Sequence, residues 1–469
     1  MTTDIFHLSP PVRVPRLMPA LFAAALILMT GCEHYLQVDP PQTSLTRQHI
    51  SAGFQTASSV LDGIYARMIS SNQGFASGGQ RSITLLAGLS ADEFDAFSDT
   101  YLPFQSNQLE PSNGFISAYL WSEPYQYIFT VNSLIESMAQ SQLTAAERDQ
   151  ILGEAKFVRA FCYFYLTALF GDVPLHLSSD YRTNSQAVRT AQSLVYDQIA
   201  SDLTDARELM SSSAGPVWKK TRPGYRAATA LLARTYLYSG KYGPAESLST
   251  ELIEDGSGLK LETDLNRVFL SESTEAVWQL RPVVPNINTH EGNTFILAGR
   301  PARSALSQNM WEAFEDQDQR RKVWISAVTV SGDTYRFPFK YRIAQGTSLQ
   351  EFSIVLRLAE QYLIRAEIRA RRNELTSAIS DLAKIRSRAG LTTAHLTTRK
   401  QVLDLVFRER QRELFAEWGH RWFDVNRALD PDSVFSSKPA NLWKRTDVLY
   451  PIPFSETDNN SHITQNPGY

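Results

Sequence analysis

A chain of 469 residues with 43% hydrophobic and 20% charged side chains can bury one or two sizeable cores, which sets aside disordered and fibrous classes. Its 46 Lys+Arg against 49 Asp+Glu leave a net charge of −3 with no run of like charge, so neither nucleic acid nor a polybasic membrane surface is indicated. Aromatic residues make up 11%, enough to build a core and leave rings for recognition.

The N-terminus has the layout of a secretory signal: Arg13 and Arg16, the apolar run Leu17 to Met29, then Thr30-Gly31-Cys32. The run falls short of the roughly 18 residues that anchor a helix in a bilayer, so cleavage is expected. Gly31 before Cys32 resembles the bacterial lipoprotein signal, whose cysteine becomes the acylated first residue. Residues 1–31 are read as a lipoprotein signal peptide and Cys32 as the lipid-attachment site, palmitate being the expected acyl group; the alternative is a plain signal with an incidental cysteine. An acylated Cys32 leaves Cys162 without a disulfide partner. Within Phe161-Cys162-Tyr163-Phe164 it reads as a small core residue, and no thiol catalysis is expected.

From Ser58 onward apolar residues recur three and four apart, predicting helices with the stripes Val60, Ile64, Met68 and Tyr127, Val131, Leu134, Ile135, Met138. Thr144-Ala-Ala-Glu147 is a capping box opening a helix that ends at Gly171-Asp172-Val173-Pro174. Between Ala160 and Phe170 only Thr167 is neither apolar nor aromatic, so this helix should be central and buried on nearly every side. Leu232-Ala233, Tyr236, Gly240-Lys241-Tyr242 and Ala245 form a tetratricopeptide-like helical hairpin. Ala366, Arg369, Asn373, Leu375 and Ala378 repeat it, with the same spacing from Ala366 to Ala378 as from Ala233 to Ala245.

The helical scaffold is therefore expected over about 50–257 and 347–430. An irregular and β insertion at about 258–346 interrupts it, with alternation at Ala276–Arg281 and Val328–Val330. A second irregular block covers 70–113, and the tail 431–469 reads as irregular coil. The fold class is mostly α, a single domain over 32–469.

Tests for chemistry mostly fail. His-Glu-x-x-His, Cys-x-x-Cys, Gly-x-Ser-x-Gly, Walker A and dinucleotide fingerprints do not occur, so no cofactor or metal is expected. Asp316-x-Asp318 lacks the glycine and closing glutamate of a calcium loop and reads as a solvated helix face. Asp92, Glu93 and Asp95 could serve a glycosidase, but loop solvation and capping are favoured. The predicted helix Lys400 to Trp418 places Glu409, Glu413 and Glu417 in one row, with Arg412 and Arg421 near it. That pattern implies an internal ion network of structural character.

Several stretches together resemble one family: Tyr35-Leu-Gln-Val-Asp-Pro-Pro41 after Cys32, Glu154 to Phe161, and Leu169 to Leu175. Arg357 to Glu367, Ile385 to Gly390, Glu409 to Asp424, Tyr450-Pro-Ile-Pro453 and Gln465 to Tyr469 continue the match. They are similar to the SusD/RagB family of Bacteroidetes outer-membrane lipoproteins. The resemblance implies a SusD-like α/α superhelix and a non-catalytic glycan- or nutrient-binding lipoprotein. It would be anchored to the outer membrane, facing the cell exterior, and partnered by a SusC-like TonB-dependent transporter that receives the oligosaccharide. A secreted glycoside hydrolase and a helical-repeat protein-interaction scaffold are the other readings.

Long loops on a helical scaffold are where a ligand is expected. In 70–113 the candidates are Phe97, Tyr101 and Phe104 for stacking, with Asp95 and Asn107 as hydroxyl partners. In 281–295 they are Arg281, Asn286, Asn288 and His290. Alanine at Tyr101 and Asn288 together is expected to abolish binding at near-native stability, whereas Trp418 and Trp422 are read as core.

Overall fold

The computed structural model describes residues 53–211, 220–393, 395–436, 438 and 442–469. The signal peptide and Cys32 lie outside them.

Helix α1 (Phe54–Ile69) buries Leu61, Ile64 and Met68, with Val60 half-buried at the stripe's edge. The block 70–113, expected to be irregular, holds a helix, α2 (Ile83–Ser90), followed by strand β1 (Phe94–Ala96) and helix α3 (Leu102–Ser106). Every residue of α2 is buried, so it has no polar face and its sequence shows no amphipathic period. A π-helical turn, Ile116–Ser122, runs into α4 (Glu123–Met138), which precedes α5 (Ala145–Phe170).

Helix α5 is the central helix the sequence predicts. Thr144 Oγ1 accepts the Glu147 amide at 3.4 Å and Glu147 Oε2 accepts the Thr144 amide at 3.1 Å, completing the capping box. Gly171 ends the helix at φ 73°, a left-handed conformation that costs glycine little. Phe161 has no exposure and meets the rings of Phe75, Tyr165, Trp278 and Trp418, and Cys162 is a buried free thiol beside it.

Beyond α5 come β2 (Val173–Pro174), α6 (Tyr181–Asn184), β3 (Arg189–Thr190), α7 (Gln192–Leu209), α8 (Tyr225–Tyr238) and α9 (Tyr242–Ile253). The interrupting region holds β4 (Ala276–Leu280), α10 (His290–Phe295), β5 (Ser304–Leu306), α11 (Gln308–Glu312), α12 (Gln319–Val323), β6 (Ile325–Val330) and β7 (Asp333–Pro338). Strand β8 (Ser353–Arg357) leads into α13 (Leu358–Arg371), α14 (Leu375–Arg388), α15 (Arg399–Leu414) and α16 (His420–Ala428). Short helices α17 (Pro431–Val434) and α18 (Phe454–Asn459) and a 3-10 turn, Arg445–Val448, punctuate an otherwise irregular tail.

The strands pair antiparallel in twos: β1 with β5, β2 with β3, β4 with β8, β6 with β7. Because β8 is consumed in pairing β4, helical structure resumes at Leu358 and not near residue 347.

Helices pack in series, α4 on α5, α5 on α7, α7 on α8, α8 on α9, α9 on α13 and α13 on α14, building the α/α superhelix. Both predicted hairpins are present. Gly240 (φ 74°) turns α8 into α9 and Asn373 (φ 65°) turns α13 into α14, while Ala233, Ala245, Ala366 and Ala378 are fully buried at the close approaches.

Helix α15 stops at Leu414, short of Trp418, because Ala416 (φ 54°) and Trp418 (φ 48°) take left-handed conformations. Trp418 and Trp422 are nonetheless core. Glu417, although off the helix, rejoins Glu409 and Glu413 in a buried ion network. Most of its cations come from distant segments: Arg320 from α12, Arg357 from β8, Arg386 and Arg388 from α14, and Lys340. Arg412 joins on Glu409 at 2.9 Å, and Arg421 is not one of these pairs. Asp318, expected on a solvated face, is fully buried: it caps α12 through the Arg320 amide at 2.9 Å and pairs with the Arg320 guanidinium at 2.7 Å.

Candidate functional site

Strand β1 is too short to stand alone and is held by β5, with Phe94 opposite Leu306, Asp95 opposite Ala305 and Ala96 opposite Ser304. Below it Phe94 stacks on Phe295 at 5.1 Å, tying the strand to the core. This pairing presents Asp95 to a cleft of about 310 Å³ lined also by Asp92, Gln105, Gln308, Asn309 and Lys438.

Gln105 orders its wall from both ends, its Oε1 accepting the Ala96 amide at 2.9 Å and its Nε2 donating to Asp95 at 3.0 Å. Lys438 reaches in from the tail to pair with Asp92 at 2.9 Å and donates to Asn107 Oδ1 at 2.7 Å. Burial raises Asp92 above the ordinary carboxylate range against the pull of Lys438. Burial and then the charge of Asp92 raise Asp95.

A second cleft of about 470 Å³ is lined by Trp311, Arg321 and Arg336. The two adjoin, since Arg336 donates to Gln308 at 3.3 Å. Arg321 and Arg336 lie 3.8 Å and 4.3 Å from the Trp311 ring centre, which fixes that ring by cation–π attraction. Phe97 is 37% exposed and meets Tyr335 edge-on at 5.5 Å. The result is a groove with an exposed aromatic edge and a row of amides, carboxylates and cations, suited to a ligand with an apolar face and a rim of hydroxyls.

The sequence candidates divide. Asp95 lines the groove, Phe97 stands exposed two residues further along the chain against Tyr335, and Asn107 supports the groove from below, buried at φ 57° with its side chain on Lys438. Tyr101 and Phe104 are corrected to core residues: both are buried, packed on Phe115, with Phe104 also against Tyr450.

The 281–295 block does not join them. Asn288 has no exposure, and its side chain accepts the Gln350 and Glu351 amides at 2.7 and 3.1 Å and donates to Ser348 O at 2.9 Å. His290 is buried with Nε2 donating to Ile69 O at 2.9 Å. Arg281 and Asn286 are exposed beside these anchors. Alanine at Tyr101 and Asn288 would therefore remove core contacts, and native-like stability is not the expected result. Of the clustered acids, Glu93 is neither solvated nor a cap: it is buried, its Oε2 accepting the Ala416 amide at 3.3 Å.

Gln105, Gln308, Trp311, Tyr335, Arg336 and Lys438 were not singled out from the sequence. The alternation of β6 and β7 marks Tyr335 and Arg336 as strand residues, but no local signal brings Lys438 to residue 92.

A helical-hairpin superhelix that displays a polar and aromatic groove on short strand insertions is a ligand-binding scaffold. The comparisons with known proteins specify which. A family model described as starch-binding and associating with the outer membrane matches residues 35–237, and the SusD family model matches residues 307–469. The chain belongs to the SusD/RagB family.

SusD-like protein P2 of Formosa agariphila is 25% identical over 76% of this chain and 81% of its own. The starch-binding protein SusD of Bacteroides thetaiotaomicron is 24% identical over 70% and 74%. Among solved structures, a SusD superfamily protein of Bacteroides vulgatus superposes with TM-score 0.77 at 19% identity, covering 89% of this chain and 99% of that one. A laminarin-binding SusD-like protein gives 0.72 at 22% identity, covering 88% and 99%. These two share the fold.

Proposed function

We propose that the protein is a non-catalytic carbohydrate-binding lipoprotein that captures oligosaccharide at the β1–β5 groove and delivers it to a SusC-like TonB-dependent transporter. The observation that carries the reading is the exposed Phe97 edge beside Asp95 and Gln105, where a sugar ring can stack while its hydroxyls meet fixed polar groups. Family membership, the outer-membrane association in the matched description and the sugar-binding names of two relatives support it.

Asp92 and Asp95 sit on one short segment and hence one wall, whereas glycoside hydrolysis needs two acids flanking the bond, so binding is favoured over cleavage. No helix among the described residues is long and apolar enough to cross a membrane. Attachment is assigned to acylated Cys32, with the protein facing the exterior. Cys32→Ala should then move the protein from the membrane to the soluble fraction, because a lipid-borne anchor is lost outright; equal partitioning of variant and wild type would refute the anchor.

An array of defined glycans probed with the mature chain tests the function itself. Retention of a neutral oligosaccharide without sugar release is expected. Sugar release would reinstate the hydrolase, and the absence of any glycan-dependent stabilisation would favour a protein-binding scaffold.

A further inference from the structure

A cavity of about 570 Å³ opens between α4, the segment joining β2 to α6, and the tail around α18. One wall is an aromatic ladder. Trp121, Tyr125 and Phe129 stand four residues apart where the π-helical turn runs into α4, so they share one helix face. The rings of Trp121 and Tyr125 are 5.2 Å apart. Exposure rises from 2% at Trp121, through half-buried Tyr125, to 53% at Phe129, so the ladder climbs from floor to mouth. Eight residues of helix rise about 12 Å, longer than a single sugar ring.

The other walls are polar and held in place. Asn184 and Asn460 are fixed through their Nδ2 groups, to Ser178 O at 2.8 Å and Ala187 O at 2.9 Å. Glu456 bonds the Trp121 side chain, and burial raises it above the ordinary carboxylate range.

His176 lines the cavity 5.2 Å from the Tyr125 ring, and its Nε2 is buried with no hydrogen-bond partner. Burial pushes its pKa down to about 4, so at neutral pH the ring is uncharged and that nitrogen can meet a hydroxyl. A buried polar atom left unmatched beside the middle ring of an aromatic ladder is costly to the fold and useful to a ligand.

We infer that this cavity is a second carbohydrate site, taking a neutral pyranose chain whose apolar faces lie on Tyr125 and Phe129 and whose hydroxyls meet His176, Glu456 and Asn459. The ligand class rests on the carbohydrate reading above, whereas the site itself is independent of the groove.

Isothermal titration of the mature lipoprotein in detergent with maltohexaose, laminarihexaose and xylohexaose tests it, in wild type, Phe129→Ala and Phe97→Ala. Both changed residues are substantially exposed, so the fold is not at risk. Two molecules of at least one hexasaccharide should bind wild type, and each variant should retain one. If Phe129→Ala leaves stoichiometry and affinity unchanged, the cavity inference is overturned while the groove reading stands. If Phe129→Ala loses a site and Phe97→Ala loses nothing, the groove reading falls and the cavity stands. No binding of any of the three sugars at millimolar concentration overturns the inference.

Discussion

Carboxylates meet cations in two regions of this protein, around Glu413 and at the groove, and the completeness of the pairing differs. Glu413 is fully buried and receives Arg320 at 3.0 Å, Arg357 at 2.6 Å and Arg388. Burial alone would raise its pKa, but these guanidinium groups hold it well below the ordinary range. At the groove Asp92 has Lys438 alone as an ion-pair partner among the described residues, Asp95 has the Gln105 amide, and both stay raised. Full matching fixes a carboxylate as scaffold, whereas partial matching beside an open cleft leaves acceptor capacity for a ligand.

Breaking the matched side should have the largest effect. Arg357→Ala strips a cation from Glu275, Glu413 and Glu417 at once and should cost about 5 kcal/mol, the upper end for a broken buried pair. Denaturant unfolding measures it. A cost near that of an exposed pair would mean water reaches the network. Phe161→Ala, an apolar control in the same core, should cost about 4 kcal/mol through the cavity it leaves, with glycan affinity of the folded protein unchanged.

Glu93 sharpens the comparison, being buried like Glu413 but raised to about 8 by burial, with only partial relief from the Ala416 amide and the Lys340 and Arg421 charges. The signs are opposite. Glu413, depressed on folding, contributes stability above its unfolded pKa that is lost as pH falls through the folded value. Glu93, raised on folding, contributes stability below its unfolded pKa that is lost as pH climbs toward about 8. Glu93→Gln should remove a slope approaching 1.4 kcal/mol per pH unit across that window. Melting temperatures from pH 5 to pH 8 read it out, and parallel curves for variant and wild type would show that Glu93 ionises freely in the fold.

The smallest stability effect belongs to the groove. Asp95→Asn with Phe97→Ala should change unfolding free energy by less than about 1 kcal/mol while weakening binding of the array's glycan at least about tenfold. Retained affinity would place the primary site elsewhere.

What the sequence determined by itself is what neighbouring residues decide among themselves. The Thr144 capping box, the helical hairpin around Gly240, the apolar run of α5 and the burial of Cys162 depend on spacing of a few residues, and each is present as read. Tertiary structure decided which polar and aromatic side chains water can reach. Helix α2 carries no period because it is enclosed on every side. Tyr101 and Phe97 are both aromatic residues of one loop block, yet one is sealed against Phe115 and the other stands open beside Tyr335. Asn288 has the chemistry of a hydroxyl partner but spends it on the backbone of 346–351. The groove is completed by Lys438 and Arg336, and His176 is left unmatched in the cavity. A residue's type fixes which bonds its side chain can form, but only the packing of distant segments decides whether those bonds are already taken.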